Sequence, residues 1–423
     1  MVTSTHPRVV HECINVENAT TSGRPPLYVA ELMYQNKHIA FSPDGPHWKN
    51  MRRAAHHLLS KEASSCHLPI QRAEASLMMY NVLEDSRNLY SHIRRYTTST
   101  ALSIVFGIHC SIHDDPIIER FYEIQRDIDC ILRPGGHPPI DTFTFLKYVP
   151  ERWASWKGFC RNVRIKQEEY YSDLMDRCLA RIANDKKNGS ILGMSILEAS
   201  AETTGVYLQF FVLCMLDNLD VLSAAQQEID TIIGDNRTPE IEDLDKLPYL
   251  QAVIKEVHRY RPVAPTSIPH AATADTMIRG YRIPVGSVIF TNVCTEIMLS
   301  SRLGGIGQDE EFYEDPERFW PERFIRSEFG TKPGADTTGC QDTPFTFGGG
   351  RRICPGIYLA GNSIALNVMN LLWAFDISLP KDPGTGLPIS LDANGMTDGA
   401  LLTPNPFTCD VKPRSSAKAE MIK

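Results

Sequence analysis

The chain has 423 residues, 42% hydrophobic and 22% charged, a composition that leaves room for a large core and excludes a disordered or fibrous protein. A formal charge of −8 argues against non-specific nucleic-acid binding, which needs a basic surface. Eleven cysteines lie scattered without a CxxC pair, which removes zinc-ribbon and thioredoxin-like arrangements and fits a reducing compartment.

Residues 1–25 are weakly patterned and Ser/Thr-rich, so they read as a loose lead-in, with 26–423 as a single domain. From "DGPHWKNMRRAAHHLLS" onward most segments read as helix. Asp44 or Gly45 can cap, Pro46 suits a first turn, and Met51, Ala54, Ala55, Leu58 and Leu59 recur at helical spacing. The same periodicity predicts helices near 71–107, 115–133, 150–184, 191–218, 222–233 and 248–260, with a Pro/Gly loop, "RPGGHPPIDTF", at Arg133 to Phe143. "DTMIRGYRIPVGSVIFTN" (275–292) alternates apolar and polar residues around Gly280 and Pro284–Gly286, which predicts a short β-hairpin or meander. After Gly356, "IYLAGNSIALNVMNLLWAF" predicts one long amphipathic helix. The fold class is mainly α with a small β-sheet (α+β). No segment has the roughly 18 continuous apolar residues of a membrane span. The densest run, "FFVLCML", is far shorter, and the chain reads as soluble.

"FTFGGGRRICPG" (Phe345 to Gly356) carries the strongest chemical signal. A thiolate at Cys354 would sit just before a helix N-terminus, where free N–H groups favour negative charge and lower the thiol pKa. Gly350 and Gly356 remove side chains, so a flat macrocycle can approach the backbone. Arg352 can pair with an acidic group beside the sulfur. Haem is a flat, acid-bearing ligand that suits this arrangement. A Gly-rich turn with a buried cysteine is the plainer reading; a phosphate loop lacks its Lys-Ser/Thr ending. "KEVHRYRP" places Glu256 and Arg259 at i, i+3 on a helix with apolar flanks, and "FWPERF" supplies Arg323 as a second cation.

Together these stretches resemble the cytochrome P450 family. "FTFGGGRRICPG" is similar to its haem signature F-x-x-G-x-R-x-C-x-G through Phe347, Gly350, Arg352, Cys354 and Gly356. "EVHR" and "PERF" match its Glu–Arg–Arg triad at Glu256, Arg259 and Arg323. "HWKNMRR" matches its W-x-x-x-R helix at Trp48 and Arg52, and "EASAETTG" resembles its oxygen-activating helix at Ala199 to Thr204. The wording of "PHWKNMRR" and "LPYLQAVIKEVHRYRPVAP" is most similar to fungal microsomal members of secondary metabolism.

The resemblance implies the P450 fold, with haem b between the oxygen-activating helix and the helix after the Cys loop. Cys354 is then the axial metal ligand. Trp48, Arg52, Arg352 and His270 hold propionates; for His270 a plain loop position after a Pro turn is an equal alternative. Glu202 and Thr203 are the catalytic pair, a carboxylate beside a hydroxyl that can relay protons. A capping box at "SILE" (Ser195 to Glu198) is the bland alternative there. Glu256, Arg259 and Arg323 brace the Cys loop. NADPH–cytochrome P450 reductase is the implied electron donor, docking near Lys49, Arg53 and Arg351, with cytochrome b5 as a second donor. The substrate is an apolar small molecule touching 134–145, 195–204, Val263 to Ser267 and the turn at Leu401.

Departures from the pattern matter as well. Ser200 replaces a glycine, Cys294 a tryptophan, Ala271 an arginine, and Met298 to Gln308 reads as an insertion. The start of the chain reads as N-terminally truncated relative to anchored members, whose full-length form sits on the cytosolic face of the endoplasmic reticulum. On that reading the hairpin at 275–292 lacks neighbouring strands and exposes an edge. Two rival functions stay open: a reductase-independent haem-thiolate isomerase or dehydratase, and a catalytically silent or misfolded haem-binding product.

Overall fold

In a computed structural model of the chain, the described residues are 2–423 except 5, 134, 182–189, 294–304, 341–343, 383, 393, 394, 398 and 400. Nine long helices carry the fold among them: α1 (Pro46–Leu59), α2 (Leu68–Glu84), α3 (Leu89–Phe106), α4 (Pro116–Leu132), α5 (Ser155–Arg181), α6 (Ser190–Asp217), α7 (Leu219–Ile232), α8 (Pro248–Tyr260) and α9 (Ile357–Ala374). α1 starts at Gly45 with Pro46 in its first turn and buries Trp48, Met51, Ala55 and Leu59 on one stripe, as its spacing demands.

The stretch read as one helix over 71–107 is two. It breaks at Asp85, whose backbone leaves the helical region, and Asn88 Nδ2 donates to the Asp85 carboxylate at 2.8 Å. Asp and Asn favour turns over helix interiors, and here their mutual side-chain bond spans the break.

The "FFVLCML" run lies at the centre. On α6, Phe210 to Leu216 are all buried, packed with Ile93 and Tyr96 of α3, Val253 and Val257 of α8, and Val368 to Trp373 of α9. A second core joins Leu102 and Phe106 of α3 to Phe121 and Ile128 of α4, Leu174 of α5, and Leu197 and Ala201 of α6. α6 is therefore apolar nearly all round because it belongs to both cores. By length and composition α6 and α9 are apolar enough to cross a membrane, yet most of each is buried inside the protein.

Among the described residues, three small sheets flank the helices. β1 (Val2–Ser4) pairs in parallel with β5 (Val288–Thr291), and β5 pairs antiparallel with β2 (His270–Ala271). β3 (Thr276–Ile278) and β4 (Tyr281–Ile283) form a separate hairpin, and β6 (Phe375–Ser378) pairs with β7 (Asp410–Pro413). The segment 275–292 is thus split between two sheets. The open edge expected there is filled only at β5, which is flanked on both sides; β3 and β4 pair with no third strand among the described residues.

The lead-in expectation is also corrected. Residues 7–22 form short helical turns that bury Val10, Cys13, Ile14 and Thr21, and Thr21 Oγ1 donates to the Cys13 carbonyl at 2.5 Å. Their apolar residues are few, so no strong periodicity announced them; they are held by packing against Ile278, Ile283 and Ile289. Cys294 and most of the Met298–Gln308 insertion lie outside the described residues.

Candidate active site

The Cys loop folds back on itself. A tight turn at Phe345–Phe347 is followed by Gly348 at φ 72° and Gly350 at φ 56°, and the Cys354 N–H donates to the Phe347 carbonyl at 2.8 Å. The two left-handed glycines permit that return. Gly350 has a second duty that differs from the one expected: a Cβ there would run into the Ile14 carbonyl, so its missing side chain admits residues 7–22 rather than a macrocycle. Gly356 does face the sulfur, and its N–H pulls the thiol toward the thiolate. Burial pushes the Cys354 thiol up, against the pull of that N–H and of Arg52. The expected lowering by the helix N-terminus is outweighed by desolvation; a bound metal ion would reverse the balance by taking the thiolate.

Above Cys354 opens a cavity of about 310 Å³, with Trp48, Arg52, His270, Phe347, Arg352 and Gly356 on its walls. α1 brings Trp48 and Arg52 to one side because they are four residues apart. Trp48 Nε1 donates to the Ile39 carbonyl at 3.2 Å, and the Arg352 guanidinium stacks 3.8 Å over the Trp48 ring. Arg352 Nε donates to the Ser22 carbonyl at 2.9 Å, while its Nη1 and Nη2 are buried without a hydrogen-bond partner among the described residues.

Sequence reasoning missed Arg24. It lines the same cavity and donates to the carbonyls of Ala40, Ile268 and Pro269 at 2.7 to 2.8 Å. Its sole local signal is the "GRPP" stretch at the end of the supposed lead-in, and only the long-range fold brings it here. Burial lowers Arg24 to about 9, and the neighbouring Arg352 charge adds to the effect; burial likewise lowers Arg352 to about 10.

His270 Nδ1 donates to the Thr21 carbonyl at 2.9 Å. Burial, then the Arg24 charge, push it down to about 3, so its ring is neutral and Nε2 is an acceptor in this state. Two buried guanidinium nitrogens without partners, beside two further arginines, demand an anion. A haem fits: its propionates match the unpaired donors, its plane the cavity, and its iron the thiol. Two negative charges would also lift His270 toward its charged, doubly donating form.

α6 forms the opposite wall through Ala199, Ser200, Thr203 and Thr204. Thr203 Oγ1 donates to the Ala199 carbonyl and Ser200 Oγ to the Ile196 carbonyl, each at 2.6 Å, so two side chains tug at consecutive turns of the helix. The Ser200 hydroxyl is therefore tied back to its own helix, although its Cβ does line the cavity. Glu202 is not beside Thr203 on this wall. It points from another face of α6 into a second cavity, where Gln125 Nε2 donates to it at 3.0 Å. One residue along a helix is a 100° turn, and packing against α4 keeps the carboxyl there. Ser195 and Glu198 lie inside the helix, not at its start: Ser195 Oγ accepts from the Ile39 N–H, and Glu198 accepts from Gln167 and Tyr171.

The remaining cavity wall is apolar, including Ile39, Leu59, Ala101, Val263, Ile268 and Leu401. Val263, Ala264, Ser267 and Leu401 stand where expected, whereas the described part of 134–145 does not reach the cavity.

Behind the Cys loop, Glu256, Arg259 and Arg323 meet in full burial. Both Glu256 oxygens accept from Arg259 at 2.7 Å, and Arg323 Nε lies 3.2 Å from Oε2. Arg259 also donates to the carbonyls of Gly307, Pro316 and Arg318, and the Trp320 N–H donates to Glu256 at 2.7 Å. His258 of the same helix packs on Phe347 with ring centroids 5.4 Å apart, which links this cluster to the Cys loop.

Comparison with known proteins gives these features a common origin. The sequence profile of the family Cytochrome P450 matches residues 1–408. A cytochrome P450 monooxygenase of Armillaria gallica is 38% identical over 440 residues, covering 100% of this chain and 82% of that one. Another, from Rhodocybe pseudopiperita, is 31% identical, covering 99% and 82%. Solved zebrafish cytochrome P450 structures, with progesterone and with abiraterone, share the fold at TM-scores of 0.75 and 0.72, with 24% and 23% identity, over 97% and 98% of this chain and 93% of each of theirs. Independent likeness in profile, in curated relatives and in backbone leads to one conclusion: the chain belongs to the cytochrome P450 family and is one of its monooxygenases.

Proposed function

We propose that the protein inserts one atom of dioxygen into an apolar small molecule of fungal secondary metabolism, with electrons drawn from NADPH through cytochrome P450 reductase. Cys354 would hold the haem iron, and Arg24, Arg52, Arg352, Trp48 and His270 would hold its propionates. When bound, the haem supplies the iron at which dioxygen is reduced and split. The chain's own residues do the rest. The Gly356 N–H and Arg52 stabilise negative charge on the Cys354 sulfur. Thr203 offers a hydroxyl at the cavity wall for holding or passing a proton. The apolar walls keep bulk water from the reacting centre and favour an apolar substrate. Lys49 and Arg53 of α1 and Arg351 of the Cys loop are exposed and suit an acidic electron donor.

The observation that carries this reading is the pair of buried, unpartnered Arg352 nitrogens beside the Cys354 cavity. It is tested by the absorption spectrum of the ferrous carbon monoxide complex after reconstitution with haemin. A thiolate-type spectrum, lost in Cys354→Ala, is expected together with NADPH-dependent oxygen use when reductase is added. Imidazole-type ligation, or none, refutes it.

A further inference from the structure

Where the helical turns at residues 7–22 end, consecutive carbonyls from Thr20 to Gly23 each accept from a donor far away in sequence. The Thr273 N–H donates to Thr20 at 2.7 Å and the Ala271 N–H to Gly23 at 2.9 Å. Between them, His270 Nδ1 donates to Thr21 and Arg352 Nε to Ser22, each at 2.9 Å. Carbonyls at a helix C-terminus lack partners within the helix and are open to such donors. The two middle ones take the rear edges of side chains that line the Cys354 cavity. A carbonyl on Nε of an arginine leaves the Nη edge for another partner, and one on Nδ1 of a histidine fixes the tautomer and leaves Nε2. Neither Thr21 nor Ser22 lines the cavity itself.

Two buried hydroxyls aim these carbonyls. Thr21 Oγ1 donates to the Cys13 carbonyl at 2.5 Å, with the Glu17 carbonyl 3.0 Å away, and Ser22 Oγ donates to the Asn18 carbonyl at 2.5 Å. Back-bonding of this kind to earlier carbonyls bends and fixes the end of a helical stretch. Thr21 is 0% exposed, so its hydroxyl has no water to turn to and the bond to Cys13 holds the end of the stretch against its middle. Glycines seat the stretch: a Cβ at Gly350 would meet the Ile14 carbonyl, and one at Gly23 the Ala271 carbonyl. The segment that backs the Cys loop therefore also orients two of the donors facing the cavity.

We propose that Thr21 is a positioning residue for cofactor retention: its hydroxyl clamp aims the carbonyls of Thr21 and Ser22 at His270 Nδ1 and Arg352 Nε, which turns the Nε2 and Nη edges toward an anionic group in the Cys354 cavity. The proposal rests on the haem reading given above and adds to it a residue outside the cavity wall. Without the clamp both donors keep their place in the chain but lose a fixed direction, so each must be ordered again when the anion arrives. That ordering weakens the hold on the cofactor. Ser22 acts on the Arg352 branch alone, since its hydroxyl fixes only the turn back to Asn18.

The test uses the full chain, without and with haemin. Nitrogen-15 NMR of labelled histidine, with His270→Gln to assign the signal, reads the His270 tautomer in the haem-free protein. Transfer of haemin to excess apomyoglobin reads its release. The native ring should carry its proton on Nδ1. Thr21→Val should lose that preference and release haemin about tenfold faster, the worth of one charged hydrogen bond. Thr21→Ser keeps the hydroxyl and should keep both native properties. Ile229→Val, a core change away from the cavity, loosens the fold without touching the clamp and should leave the tautomer native. Ser22→Ala removes a single bond and should speed release with the tautomer unchanged, so it decides the Arg352 branch even if Thr21→Val folds poorly. A thiolate-type haemin complex in which Thr21→Val keeps the native tautomer and release rate overturns the positioning role and leaves the haem reading standing. A changed tautomer with native release overturns the link to the cofactor. Native protein that takes up no haemin overturns both.

Discussion

Replacing Glu256 by glutamine is the sharpest test of what holds the Cys loop in place. The substitution keeps volume and one acceptor oxygen but removes the charge and turns an N–H₂ toward arginine donors. In the native protein both carboxylate oxygens accept from Arg259 at 2.7 Å, Arg323 lies at 3.2 Å, and the Trp320 N–H closes the fourth site. Glu256 has no exposed surface, and the two guanidinium groups are almost fully buried. Breaking a buried ion pair by removing one partner costs about 3–5 kcal/mol, because the other charge is left uncompensated. Two cations share this carboxylate, so the upper part of that range is expected. A total stability of about 5–15 kcal/mol would be reduced by a third or more. The surface pair Arg120–Glu169 supplies the contrast: its partners are 44% and 63% exposed, and Glu169→Gln should cost less than about 1 kcal/mol. Urea unfolding followed by tryptophan fluorescence reads both, and haem retention at intermediate urea reads the loop. If Glu256→Gln stays within about 1 kcal/mol of the native protein, the charge cluster does not brace the site and the packing of His258 on Phe347 must do so.

Other outcomes follow from the same geometry. Arg352→Met should weaken haemin binding by about 100- to 10,000-fold, the worth of two charged hydrogen bonds, as read by haemin titration. It should change haem-free stability by only about 1 kcal/mol, since the lost Ser22 contact is offset by relief of repulsion with Arg24. Thr203→Ala should fold normally, because the hydroxyl bonds only the Ala199 carbonyl of its own helix, yet divert NADPH-driven oxygen use toward peroxide. The pH dependence of stability should carry the sign of Glu202. Its native pKa, about 8, exceeds the ordinary 4.5, so between those values the folded state binds more protons than the unfolded one and stability falls as pH rises. Comparing urea midpoints at about pH 5 and pH 8 in the native sequence and Glu202→Gln isolates this contribution, which the glutamine should remove.

Much of the site could be read from local spacing. Trp48 and Arg52 share a helix stripe because they are four apart, Glu256 and Arg259 meet because they are three apart, and Cys354 sits in a Gly-flanked turn before a helix. Each of these relations is set within one or two turns of backbone, where helix and turn geometry alone decide which side chains are neighbours. The helices from α4 to α9 were legible for the same reason. Adjacency in sequence was misleading for Glu202 and Thr203, since neighbours on a helix face different directions.

The sequence by itself therefore determined the helices, the Cys-bearing turn and the paired residues whose partners lie close along the chain. Only the tertiary structure decided that residues 7–22 form the back of the Cys loop, that Arg24 joins the cationic cluster, that β1 covers β5, and that Glu202 turns away into a second cavity. These contacts link residues tens to hundreds of positions apart, so their free energy comes from burial and pairing that exist only once the chain has closed on itself; no short window of residues contains them.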